Sequence, residues 1–143
     1  MKDRHEFVRD CLLKAGSDIK VALREMAAED PALDVVCFHF QQYVEKMLKA
    51  WLSAHGVEYK PTHNLEILLV ACERLDSSFS DLYGIQKLTP YATSIRYADD
   101  FYFPDKAEVE EAAQLAQNAG TFIQNKLKAQ GFDIEYRREE TER

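Results

Sequence analysis

His39, Gln42, Lys46 and Lys49 recur three or four residues apart. On a helix that spacing makes one polar stripe, which Ser53 continues. No carboxylate falls within the stripe. The next segment adds Lys60 and His63. From Lys46 to Leu65 the cations Lys46, Lys49 and Lys60 face a single acid, Glu58. That gives a local charge of +2 within a chain whose net charge is −7. Ammonium and imidazole donors grouped in this way suit the oxygens of a phosphate. Glu45 adjoins the stripe and tempers its charge. The plainer expectation for such a stripe is a solvated helix face.

The stretch "SIRYADDFYF", residues 94–103, also concentrates reactive residue types: Arg96, Tyr97, Asp99 and Asp100 precede three aromatic residues. Adjacent aspartates can bind a metal, and more often they form a turn or a helix cap. Between Asp99 and Glu111 six acids oppose Lys106 alone, a local charge of −5. Acids in the first turns of a helix are favoured by its dipole. An acidic surface for a basic partner is the alternative reading.

Other chemistries find little support. Cys37 and His39 are two apart and would point to different faces of a helix. There is no Cys-x-x-Cys, His-x-x-x-His or Glu-x-x-His pair to hold a metal. No Gly-x-Ser-x-Gly turn or glycine-rich phosphate loop occurs. No metal site and no catalytic nucleophile are expected.

The elements that must position the stripe follow from the rest of the chain. Its 143 residues suit one domain with a core of its own. The hydrophobic share of 46% and charged share of 30% are those of an ordinary globular protein. The acidic balance argues against broad nucleic-acid binding or attachment to anionic membranes. No apolar run reaches the roughly 18 residues of a membrane span, and the N-terminus lacks the apolar core of a signal peptide. Cys11, Cys37 and Cys72 are odd in number and lie in apolar, helical contexts. They read as free buried thiols of a cytoplasmic protein.

The first helical segment spans Asp3 to Glu29. Gly16 and Ser17 leave open whether it is one helix or two end to end. A second helix is expected from an Asp30 cap and Pro31 to a stop at Gly56. At about 25 residues it is a rod of roughly 37 Å. Val36, Cys37, Phe40, Tyr43, Val44, Met47, Leu48 and Trp51 share an arc of about 140° on it. A third helix, "LEILLVACERL", follows a cap at Thr62 or Asn64, and "DSSFSDLYG" is a loop or a single turn. Thr89 is positioned to cap a fourth helix running from Pro90 to Tyr97. Asp105 caps a last helix that ends near Ala129, before Gly131. Val109, Ala113, Ala116, Gly120, Ile123 and Leu127 line one face of it, small enough for a close helix partner. No stretch alternates with period two. The class is all-α: an up-and-down antiparallel bundle of four or five helices over residues 1–132, with a polar tail at 133–143.

The segment "FHFQQYVEKMLKAWLSAHGVEYKPTHNLEILL", residues 38–69, resembles the signature of HEPN domains, the higher-eukaryote and prokaryote nucleotide-binding family. The resemblance rests on Gln41-Gln42, Glu45-Lys46, Leu48-Lys49-Ala50, Gly56 and Thr62-His63-Asn64-Leu65. "IRYADDFYFPD" is similar to the family's Arg-Tyr segment, and "EVEEAAQLAQNAGTFIQNKL" to its alanine-rich last helix. Together these span about residues 15–130, and they imply the same helical bundle, often as a homodimer.

Many HEPN proteins are metal-independent ribonucleases whose Arg is followed four to six residues later by a His. The Arg neutralises the scissile phosphate and the His moves a proton. Arg96 stands at the family's Arg position, but no histidine follows His63. The resemblance therefore implies a non-catalytic member that binds a nucleotide such as ATP, or another phosphate group. It also implies a minimal nucleotidyltransferase as protein partner in a toxin–antitoxin-like module. The expected binding residues are Gln42, Lys46, Lys49, His63 and Arg96 for phosphate, with Tyr97 stacking on a base. One alternative is a ribonuclease toxin using Arg96 with an unorthodox base. Another is a structural subunit acting through its acidic 99–111 face. A third, plainer reading pairs Arg96 with Glu45 or Asp99 and leaves it without a ligand.

Overall fold

In the computed structural model, residues 3–93, 96–97 and 100–132 are described, with the backbone alone for Arg96, Tyr97 and Asp100. Four α-helices carry the fold: α1 (Arg4–Met26), α2 (Leu33–Ala54), α3 (Leu65–Leu75) and α4 (Lys106–Ala129). Two 3-10 segments, Ser77–Leu82 and Ile85–Ala92, link α3 towards α4. The class is all-α, as the absence of period-two patterning implies.

Helix α1 is continuous through Gly16. Val8, Leu12, Ala15, Ile19 and Ala22 are buried at alternating spacings of four and three. That stripe runs past the glycine without interruption. Its packing outweighs the roughly 1 kcal/mol that a mid-helix glycine costs. The Asp3 carboxylate caps the start by accepting from Glu6 N at 2.8 Å.

Helix α2 begins later than its apparent signals. Ala32, not Asp30, is the N-cap residue, and its side chain makes no capping hydrogen bond. The reason is tertiary: the Ala32 N–H donates to Glu25 Oε2 of α1 at 2.8 Å, so the preceding helix ties down the turn. At the far end Gly56 takes φ = 69° after the His55 cap. A Cβ at Gly56 would lie 2.7 Å from the Arg4 guanidinium. The start of α1 thus meets the end of α2, and the two helices run antiparallel.

The whole apolar arc expected on α2 is buried. This helix touches α1, α3, α4 and the Ile85–Ala92 segment, so it is the central rod. The Trp51 ring lies 4.4 Å from that of Phe79, tilted at 53°, and Phe79 meets Phe122 of α4 edge-on at 5.1 Å. Nearer the other end of α2, Tyr43 lies against Gly120 of α4. A Cβ at Gly120 would come within 1.8 Å of the Tyr43 hydroxyl, so only glycine allows this approach. The small-residue face expected on α4 is therefore a helix-packing face.

Asn64, rather than Thr62, caps α3 and accepts from Ile67 N at 3.1 Å. Thr89 does not start a fourth helix. Its hydroxyl accepts from Leu65 N at 3.0 Å and serves the N-terminus of α3 instead. Pro90, which lacks an N–H, lies inside the 3-10 segment. The Arg96–Tyr97 backbone then pairs with Asp100–Phe101 as a two-residue antiparallel ladder, in the register Arg96↔Phe101 and Tyr97↔Asp100. The expected helix to Tyr97 does not form: the 3-10 segment ends at Ala92, and Arg96–Tyr97 belongs to this ladder. Asp105 caps α4 through a capping box with Glu108, and Gly131 follows its end at φ = 90°. The expected polar tail, 133–143, lies outside the described residues.

Candidate phosphate-binding site

The polar stripe of α2 does not face open water. Helix α1 brings Asp18 to it from within its own buried stripe. Asp18 is 8% exposed. Its two oxygens are both engaged: Oδ1 lies 2.8 Å from His39 Nδ1 and Oδ2 accepts from Lys46 Nζ at 2.5 Å. A second carboxylate, Glu45, is 4% exposed on α2 itself. Its Oε2 accepts from Lys49 at 2.8 Å, and its Oε1 lies 2.8 Å from His63 Nδ1.

The two carboxylates belong to one continuous network. Lys46 Nζ donates to Gln42 Oε1 at 3.4 Å, and Gln42 Nε2 donates to Gln41 Oε1 at 2.7 Å. Gln41 Nε2 donates both to Glu45 Oε1 at 3.2 Å and to the His63 carbonyl at 3.0 Å. The network therefore joins α1, α2 and the loop before α3. Tyr59 helps hold that loop: Lys49 Nζ lies 5.7 Å from its ring centroid.

The charges respond accordingly. Burial pushes the Glu45 carboxyl up, but hydrogen bonds from Lys49, His63 and Gln41 outweigh it and hold the group below the ordinary carboxylate range. A buried carboxylate held ionised needs such donors. With both imidazoles neutral, Asp18 and Glu45 balance Lys46 and Lys49. The +2 of the local sequence is thus largely cancelled, half by Asp18 from another helix and half by Glu45, which immediately precedes Lys46.

Donor capacity nevertheless remains at the surface. The side chains of His39, Lys46 and Lys49 are 24%, 28% and 19% exposed, and that of His63 is 60% exposed. An ammonium carries three N–H donors. Lys46 uses two and Lys49 one among the described residues. Both imidazoles meet their carboxylates through Nδ1, which leaves Nε2 as the other ring nitrogen available to a ligand.

Of the residues expected to bind phosphate, the structure brings Gln42, Lys46, Lys49 and His63 together. The side chains of Arg96 and Tyr97 lie outside the described residues, as does Asp99. Sequence reasoning missed Asp18 and Gln41 and gave Glu45 a minor part. Asp18 carried a readable signal, since it sits between Ala15 and Ala22 on the buried stripe of α1, where a carboxylate needs a cationic partner. Cys37 and Cys72 are buried, and Cys11 is partly so.

The aromatic stretch after the ladder is also placed. Tyr102 donates to Glu108 Oε1, and Tyr91 donates to Glu108 Oε2 at 2.9 Å. The hydrogen bond to Glu108, with some burial, pushes the Tyr102 hydroxyl up to about 12. Glu108 and Asp105 also form the α4 capping box. These two members of the acidic run therefore have structural work at the helix start. Phe101 and Phe103 are 60% and 71% exposed.

The HEPN domain family model matches residues 8–126. No curated protein and no solved structure matches the chain.

Proposed function

The chain belongs to the HEPN domain family, and on that premise we propose that it is a non-catalytic member that binds a nucleotide or other phosphate-bearing group. The family is one of nucleotide- and RNA-related proteins. The observation that carries the reading is the α2 stripe: the Lys46 and Lys49 ammonium groups keep donors to spare beside the half-exposed His63 ring, while two nearly buried carboxylates fix all three in place. Donors held in position lose little entropy when a ligand arrives. Gln42 sits between them and keeps an amide hydrogen beyond the one given to Gln41. In this proposal Arg96 adds a further phosphate contact and Tyr97 stacks on the base.

The ribonuclease alternative needs a proton acceptor near Arg96. Asp100 could act as a base but, as an anion, would repel the phosphate, and Phe101 has no such group. The Tyr102 hydroxyl donates to Glu108 and is pushed up to about 12, which disables it as a base near neutrality. This supports the non-catalytic reading.

We extend the proposal to a homodimer working with a minimal nucleotidyltransferase in a toxin–antitoxin-like module. On the chain itself the support is the exposed run Phe101, Tyr102 and Phe103 beside the acidic start of α4, a combination of apolar and charged surface that a partner would cover. The test is a thermal-shift titration with ATP, GTP and a short RNA on wild type, Lys49→Met and Arg96→Ala. A ligand-dependent rise in Tm that weakens in both variants is expected. No rise with any ligand would remove the nucleotide reading.

A further inference from the structure

The two histidines of the network share one arrangement. His39 gives Nδ1 to Asp18 and His63 gives Nδ1 to Glu45, each at 2.8 Å. An ionised carboxylate has no proton to offer, so each Nδ1 must carry the hydrogen. A neutral imidazole then has a bare Nε2, which accepts hydrogen bonds and cannot donate one. Towards an ionised phosphate such a nitrogen is repulsive. Protonation at Nε2 reverses this: the ring keeps its bond to the carboxylate and gains an outward donor and a positive charge.

Net charge points the same way. Within the hydrogen-bonded network the charged groups are Asp18 from α1 and Glu45, Lys46 and Lys49 from α2, which sum to zero, and in the adjoining loop Glu58 offsets Lys60. On α1, Cys11 lies close enough for Lys49 and Lys46 to act on its thiol, with Asp10 beside it. The His63 loop adds Tyr59, near Lys49. Two imidazoliums would raise the network from neutral to +2, next to ammonium groups that already have donors to spare.

We propose that this site takes a phosphate-bearing anion in the state where His39 and His63 are protonated, so that nucleotide binding and proton uptake are coupled. The inference rests on the nucleotide-binding reading above and adds its regulation: affinity rises with the acidification that places a second proton on the two rings. Linkage requires the converse, that bound nucleotide draws protons onto the imidazoles.

The experiment is calorimetric titration of ATP into wild type and into His39→Gln/His63→Gln at several pH values between about 5.5 and 8. Glutamine keeps a donor for the carboxylate and does not titrate in this range. Protonation of ATP itself is common to both proteins and cancels in their comparison. Wild type should gain about tenfold more affinity than the variant on acidification. In parallel, the imidazole nitrogen resonances of wild type, followed with and without ATP, should show protonation midpoints moved to higher pH by the ligand. This second measurement does not depend on the variant's folding. ATP binding with identical pH profiles in both proteins, or unmoved imidazole midpoints, would overturn the coupling and leave the nucleotide site standing. Absence of ATP binding at every pH would overturn both.

Discussion

His63 Nδ1 sits 2.8 Å from Glu45 Oε1, which ties the loop before α3 to the middle of α2 across eighteen residues of sequence. The tie is doubled by the bond from Gln41 Nε2 to the His63 carbonyl at 3.0 Å. Glu45 is thus the point where the loop, Lys49 and Gln41 converge, and its carboxylate organises the candidate site.

Removing that carboxylate should be costly. Glu45→Ala leaves Gln41 buried beside an empty volume and deprives Lys49 and His63 of their partner. Loss of one side of a largely buried ionic cluster is expected to cost about 2–4 kcal/mol. Urea unfolding of wild type and variant reads this as a lower midpoint at similar slope. A midpoint unchanged within error would mean that the network adds nothing to stability.

Acid should expose the same group. The Glu45 carboxyl is held below its ordinary value of 4.5 in the fold, because the bonds from Lys49, His63 and Gln41 outweigh the opposing effect of burial. Its contribution is therefore complete above about pH 4.5 and is lost as pH falls through the lower folded value. Asp76 behaves alike: hydrogen bonds from Lys126 and Ser78 bring it from 3.8 down to about 2. That pair is partly exposed, so its share is small. Stability followed by chemical denaturation should decline below about pH 4.5, and less steeply in Glu45→Gln. Equal slopes in the two proteins would contradict the assignment.

The contact between α2 and α4 makes a steric prediction. Gly120→Ala places a methyl 1.8 Å from the Tyr43 hydroxyl and 2.5 Å from the ring carbon that bears it. The helices must separate, at a cost of about 1–3 kcal/mol. In a Tyr43→Leu background the same alanine should cost much less, a coupling that a double-mutant cycle in urea detects. Additive effects would mean that the helices are not held apart by this pair.

Thiol chemistry reports on the core. Burial pushes Cys72 up to about 12. Cys37 also rises to about 12, through burial and the nearby Glu108, partly offset by Tyr91. Cys11 is also raised, by burial and by the nearby Asp10, but is partly exposed. An aromatic disulfide reagent at pH 8 should label Cys11 slowly, and the other two only on unfolding. Fast labelling of Cys72 in the native protein would argue against its place on the buried face of α3, against α2.

Much of this architecture is legible in the sequence because it depends on local patterns. The α2 arc from Val36 to Trp51, the Asp105 cap and the glycine after Ala54-His55 each act within a few residues. What escapes is set by distant partners. Glu25 moves the start of α2 to Leu33, and Leu65 takes the hydroxyl of Thr89 away from the segment it adjoins. The site follows the same division. The stripe of His39, Gln42, Lys46 and Lys49 is visible from spacing, but Asp18 neutralises half of it from another helix. Charge counted along the chain therefore overstates the positive potential that a ligand would meet.

The central claim, a nucleotide site on the α2 stripe, is tested most directly by amide and side-chain NMR spectra of the labelled protein during titration with ATP. The account predicts saturable shifts centred on Gln42, Lys46, Lys49, His63 and Arg96, all reporting one affinity and all weakened in Lys46→Met/Lys49→Met. Spectra that do not change, or saturable shifts confined to residues away from α2 and the loop before α3, would contradict it.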